Sequence, residues 1–136
     1  SNQTIMPFLN EYMARYNETK DIGYISFLTN NHDMARLSHF YSEHELRLIY
    51  CMLFTMPGVP FLYYGDEIGM RFLRLPTKEG GYDRTGSRSP MQWNHLPNAG
   101  FSKANKDDLY LPVDECLENR TVNDQLFDEN SLLNHL

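Results

Sequence analysis

The chain has 136 residues, 41% of them hydrophobic and 22% charged, a balance that suits one folded domain and excludes a disordered tail. Twelve Lys and Arg against 18 Asp and Glu leave a formal charge of −6, and with no basic cluster this argues against nucleic acid as a partner. No apolar run approaches the roughly 20 residues that span a bilayer, and nothing at the start reads as a signal peptide, so no membrane role is expected. The compartment stays open, with the cytoplasm favoured.

From Ile5 to Glu18, the positions of Phe8, Leu9, Tyr12, Met13 and Tyr16 predict one apolar face of a helix. Ile22 to Leu28 is a short apolar run rich in β-formers, which predicts a strand buried on both faces. Ser42-Glu43-His44-Glu45 has the form of a capping box, followed by Leu46, Ile49, Met52, Leu53 and Met56 as a buried helical face. Pro57-Gly58-Val59-Pro60 stops that helix, and Phe61 to Tyr64 predicts a second buried strand ending at Gly65-Asp66-Glu67. Helix, strand, helix, strand in that order points to parallel strands joined by a right-handed helical crossover.

From Phe72 to Asn130 the periodicity fades, and Pro76, Gly80, Gly81, Gly86, Pro90, Pro97, Gly100 and Pro112 punctuate the stretch. So long a segment is either a functional loop or disordered. Tyr82, Trp93, Phe101 and Tyr110 favour an ordered loop. Ser131 to Leu136 reads as a helix just begun, so the chain looks cut within it. The expectation is one unit over 1–136: helix–strand–helix–strand over 1–71, a long loop over 72–130, and a helix start over 131–136. Two parallel strands cannot bury both faces of a sheet, so further strands, or a second copy pairing through the open edges as a homo-oligomer, are expected. Cys51, in an apolar helical run, reads as a buried thiol, and its distance from Cys116 gives no metal-ligand spacing.

In parallel α/β folds, catalytic groups gather at the carboxyl ends of strands. The ends here carry Asn31-His32-Asp33 and Asp66-Glu67. Asn, His and Asp together can hold sugar hydroxyls, and an ionised Asp can stabilise an oxocarbenium-like transition state. The same Asx-rich segment can equally be a turn, and the paired acids can be solvated or bound to an Arg. Arg84 and Arg88 either hold a ligand hydroxyl or pin their loop to a carboxylate. Trp93 and the loop tyrosines either stack on sugar rings or form a small core of their own. His32, Asp33, Asp66 and Glu67 lack the spacing of a metal site, and no metal or cofactor is expected.

Phe27-Leu28-Thr29-Asn30-Asn31-His32-Asp33 resembles the seventh barrel strand of the α-amylase superfamily. Met56 to Met70 is similar to its eighth strand and the turn that follows. Arg88-Ser89-Pro90-Met91-Gln92-Trp93 with Ala99-Gly100-Phe101-Ser102 resembles the next loop in the oligo-1,6-glucosidase, α-glucosidase and trehalose synthase subgroup. The resemblance implies an α/β fold, the C-terminal portion of a TIM-type (β/α)8 barrel, incomplete as it stands. It further implies a retaining glycosidase or transglucosidase acting on α-glucoside oligosaccharides, or a non-catalytic carbohydrate-binding or assembly module derived from that fold. Asp33 matches the carboxylate that stabilises the transition state, and His32 the histidine that binds the same sugar. Arg88 matches a loop arginine that recognises the terminal glucose and Arg36 an arginine often found at that position, and with Asn31 and Trp93 they are the candidate substrate-binding residues. The nucleophile and the acid/base of the family lie on earlier strands that this chain does not contain, so the chain alone is expected to be inactive. Met34 stands where relatives often have Gln, and Ser89 where Thr is common, which blurs the substrate.

Overall fold

The computed structural model describes residues 4–75 and 84–136. Helix α1 spans Met6–Thr19, with Pro7 in its first turn, where a missing N–H costs nothing. Tyr12 is the buried residue of this helix, and its ring lies 5.1 Å from that of Phe27 on strand β1, which docks the helix on the strand. Helix α2 spans Glu43–Thr55 and begins with the full capping box: Ser42 accepts from the Glu45 amide while the Glu45 side chain accepts from the Ser42 amide. Met56, which precedes Pro57, turns extended and ends the helix. Leu46, Tyr50 and Leu53 form the buried face of α2. Cys51 lies off that face and is exposed, contrary to the expectation of a buried thiol; Cys116 is exposed as well.

Strands β1 (Ser26–Leu28) and β2 (Val59–Phe61) pair in parallel, Ser26 opposite Val59 and Leu28 opposite Phe61. Both strands are shorter than the sequence suggests, and the second starts earlier. The ladder runs only as far as each strand has a partner, so Ile22 and Tyr24 fall outside it and are exposed. Pro60 sits within β2, which a strand with one open edge tolerates. Leu28 and Phe61 remain exposed, so the expectation of strands buried on both faces does not hold for the described residues.

The long segment after β2 is ordered where it is described. Short 3-10 turns at Asp66–Ile68, Thr85–Arg88, Pro97–Gly100 and Lys106–Asp108 are joined by extended chain, and a short helix α3 occupies Val122–Leu126. The weak periodicity of this stretch hid α3, which Thr121 caps. Pro76, Gly80, Gly81 and Tyr82 lie outside the described residues. Helix α4, Leu132–His135, follows its cap Ser131, as expected from the sequence.

Among the described residues, two small clusters form the core, Leu46, Tyr50 and Leu132 in one and Ile68, Met70 and Met91 in the other. Gln125 ties them together: its side-chain nitrogen donates to the carbonyls of Ile68 and Asn119, and its side-chain oxygen accepts from the Leu133 amide. A buried amide satisfied on both sides fixes α3 and α4 against the turn after β2. Arg71 grips the buried Asp114 through two hydrogen bonds, fastening the chain after β2 to the end of the loop.

Candidate active site

The site lies just past the carboxyl ends of β1 and β2. Thr29, the first residue after β1, donates to Asp66 Oδ2 at 2.8 Å and accepts from the Tyr63 amide at 3.0 Å, so the two strand ends are tied to each other. Asn31 Oδ1 accepts from the Asp33 amide at 2.8 Å. This closes an Asx turn that presents His32 and Asp33 to solvent, so the turn reading of Asn31 is realised together with the display of Asp33.

Asp33 is partly exposed and gathers three neighbours. Arg84 Nη1 lies 3.0 Å and Arg88 Nη2 2.9 Å from Oδ1, and His32 Nε2 lies 3.4 Å from Oδ2. Arg88 Nε also donates to the His32 carbonyl at 3.0 Å, which fixes the guanidinium against the turn. The slight burial of Asp33 pushes its carboxyl up. The Arg88 hydrogen bond and the charges of Arg84, His32 and Arg88 outweigh that, holding the pKa below its ordinary value. Asp33 is therefore an ionised acceptor at neutral pH, oriented on both oxygens.

The loop bearing the two arginines is anchored from beneath. Arg36 Nη2 and the Tyr63 hydroxyl both donate to the Ser87 carbonyl, at 3.1 and 3.2 Å. The Tyr64 hydroxyl donates to the Ser89 carbonyl at 2.8 Å, and Ser87 Oγ donates to the Met34 carbonyl. Burial, with the neighbouring Tyr64, pushes the Tyr63 hydroxyl up to about 12, so it stays a donor throughout the physiological range. The Arg36 guanidinium also stacks 5.2 Å from the Tyr63 ring centre and 5.0 Å from that of Tyr64.

Arg36 corrects the sequence reading. That reading made it a candidate substrate-binding residue, but Arg36 is 0% exposed. Its Nη1 donates to the Tyr64 carbonyl at 2.7 Å and to Asp66 Oδ1 at 2.9 Å. It lies beneath the site and acts on it by holding the strand end and the loop together. Asp66 is its counter-ion, so one half of the Asp66-Glu67 pair is an Arg partner.

Trp93 stands apart from Asp33 but shares a cavity with Arg88, so Arg88 borders both places. Trp93 is half exposed, not the centre of a small loop core. Sequence reasoning left Glu67 without a role, yet it lines this cavity. No spacing rule marks it, because its neighbours come from a segment far along the chain. Among the described residues no group of three His, Cys, Asp or Glu could hold a metal ion, and no helix is long and apolar enough to cross a membrane.

The chain is similar to several known proteins. The chain is 33% identical over 125 residues to the mouse (Mus musculus) amino acid transporter heavy chain SLC3A1, covering 90% of this chain and 17% of that protein. It is 41% identical over 96 residues to the trehalose synthase/amylase TreS of Mycolicibacterium smegmatis, covering 68% of this chain and 15% of the other. Among solved structures, the isomaltulose synthase from Erwinia rhapontici NX5 superposes with a TM-score of 0.77 at 20% identity, over 99% of this chain and 30% of that one. The alpha-amylase catalytic-domain description, "Alpha amylase, catalytic domain", matches residues 2–136. On that match along nearly its whole length, the chain belongs to the alpha-amylase catalytic-domain family.

Proposed function

We propose that this chain supplies the last two βα units, and the long loop after them, of the (β/α)8 barrel of a retaining glycosidase or transglucosidase acting on α-glucosidic bonds of oligosaccharides. The observation that carries the reading is the Asp33 carboxylate at the end of β1, ionised and oriented by Arg84 and Arg88. An anion fixed before the sugar arrives can accept hydrogen bonds from ring hydroxyls. It also stabilises the positive charge that grows at the anomeric carbon, without reorganising during the reaction. His32 and Arg88, next to Asp33, supply hydrogen bonds to the same ring.

Retention requires a second pair of carboxyl groups about 5–5.5 Å apart, one attacking and one donating a proton. Asp33 is neither, and the family resemblance puts both on earlier strands. The chain spans 17% of the mouse relative and 15% of the mycobacterial one, so the chemistry belongs to a whole barrel. Asp33→Asn in a barrel-length protein is expected to lower kcat on an aryl α-glucoside by at least ~10²-fold, with Asn31 still closing the turn. Unchanged turnover would overturn the reading. The 136-residue chain alone should show no hydrolysis.

A second reading is a non-catalytic carbohydrate-binding or assembly module. It is favoured by the similarity to a protein named as an amino acid transporter heavy chain. Binding of maltose or isomaltose by a barrel-length protein that never turns them over would support it.

A further inference from the structure

Trp93 is half exposed, yet its backbone is held from two sides. Its amide donates to the Ala99 carbonyl at 2.9 Å, and its carbonyl accepts from the Asn123 amide at 2.9 Å. The adjacent residues repeat the pattern. The Asn94 amide shares the Ala99 carbonyl at 3.2 Å, and the Gln92 carbonyl accepts from the Val122 amide at 3.0 Å. The Gln92 side chain also donates to the Arg120 carbonyl at 2.8 Å, and His95 Nε2 lies 2.8 Å from Asp124 Oδ1. A side chain displayed on so fixed a backbone loses little freedom when something binds it.

One of the two supports is built against backbone preference. Asn98, Ala99 and Gly100 in succession take positive φ, of 56°, 53° and 70°. Left-handed backbone is disfavoured for residues with a Cβ, and it occurs as single residues, not as runs. Asn98 has a polar side chain to bond locally; Ala99 has none. Strain of this kind persists only where the surroundings over-determine it, and it gathers at sites that serve a function. Here Asn98 Nδ2 donates to the carbonyls of Ser102 and Ala104, at 3.0 and 2.8 Å. The Phe101 amide closes the turn on the Asn98 carbonyl at 2.9 Å, and Ala99 is buried. A Cβ on Gly100 would lie 2.6 Å from the Asn94 side chain, so the turn is pressed against the segment it supports. The turn thereby directs one carbonyl, that of Ala99, at the amides of residues 93 and 94.

We propose that the left-handed turn at 98–100 is a positioning device for Trp93, with Ala99 as the positioning residue. The strained turn aims the Ala99 carbonyl at the Trp93 amide and so sets where the indole stands. Right-handed or extended backbone at residue 99 turns that carbonyl away and frees Trp93 on one side. For what the indole meets, the inference rests on the carbohydrate reading of the site; for the placement itself, it rests on the backbone alone.

Trp93 is the one tryptophan of the chain, so time-resolved fluorescence anisotropy of the full chain reads its local motion. Ala99→Gly accepts positive φ freely and should leave the decay unchanged. Gly100→Val places a β-branched residue at φ 70° and should produce a loss of anisotropy through fast local motion. Asn98→Val should do the same from the other end of the turn, which keeps the test decisive if one variant disturbs the fold. The Asp33 carboxyl should keep its lowered pKa by NMR in all three, because its arginines are anchored through Ser87 and Ser89. No loss in either Val variant overturns the proposal. So does an equal loss in Ala99→Gly, or a loss that comes with a raised Asp33 pKa, the sign of general loosening.

In a barrel-length protein Gly100→Val should raise the KM for maltose and add nothing once Trp93→Ala is present, since a residue acting through another has no effect without it. Additive effects overturn the proposal. Failure of the proposed function reads differently: Asp33→Asn turns over unchanged while the anisotropy contrast persists, and the placement of Trp93 by the turn stands.

Discussion

Arg36 Nη1 and Asp66 Oδ1 lie 2.9 Å apart with both side chains almost wholly removed from solvent. The pair joins the turn after β1 to the turn after β2, and through Ser87 it holds the loop that carries Arg88. Burial pushes the Asp66 carboxyl up, and the Thr29 hydroxyl and Arg36 oppose that shift. Removing one partner leaves the other as an uncompensated buried charge. Arg36→Met is therefore expected to destabilise the chain by about 3–5 kcal/mol in urea unfolding. The double variant Arg36→Met with Asp66→Leu should recover part of that loss, because a buried pair replaced whole by apolar groups is far less harmful than a pair broken. Equal stability of the single and double variants would contradict this account.

Gly86 is buried, its carbonyl accepts from the Leu73 amide at 3.2 Å, and a Cβ there would be driven into the Leu73 carbonyl. Backbone cannot swing aside as a side-chain tip can. Gly86→Ala should force residues 73 and 86 apart and carry Arg84 and Arg88 off Asp33. The expected outcome is a stability loss of about 1–3 kcal/mol, the range for overpacking. It should be accompanied by a rise in the Asp33 pKa toward its ordinary value, read by carboxyl NMR titration. An unmoved Asp33 pKa would show that the loop is held elsewhere.

Acid stability follows from Asp114. Burial raises its pKa, but the Arg71 hydrogen bonds and the Cys116 amide outweigh that and leave it lowered. A lowered folded pKa contributes stability above the unfolded value, about 3.9, and that stability is lost as pH falls through the folded one. Glu67 has the opposite sign. Its raised pKa favours folding at low pH, and that contribution is lost as pH rises through the folded value. Asp114→Asn should reduce stability at neutral pH by about 1.5–3 kcal/mol and flatten the acid limb of the unfolding curve. Glu67→Gln should leave the acid limb and reduce the decline as pH rises through the folded value, the share of the likewise raised Asp66 remaining. Urea midpoints across pH 2–7.5 check both.

Each strand of the two-stranded sheet has one edge without a partner among the described residues, and Leu28 and Phe61 are exposed beside them. Such edges recruit further strands. We propose that the isolated chain self-associates through them as a homo-oligomer. A mass above that of the monomer, rising with concentration in analytical ultracentrifugation, is expected. A monomer that unfolds cooperatively would count against it.

Much of the framework was legible in the chain alone, because it rests on local rules. The Ser42–Glu45 box, the Pro57 stop and the start of a helix after Ser131 depend on residues a few positions apart. Asn31-His32-Asp33 was marked for the same reason, as a turn at a strand end. Other features depended on separations that no local rule spans. Arg36 finds Asp66, Ser87 and two tyrosine rings from elsewhere in the chain, which turns a residue that reads as a ligand contact into a buried strut. Glu67 acquires its environment from the loop bearing Trp93 and Tyr110. Strand length and burial, too, were set by whether a partner strand was present, which lies outside the strand's own composition. The sequence by itself determined where Asp33 is displayed. Only the tertiary structure decided what holds it, because charge pairs and cavities form between segments brought together by folding.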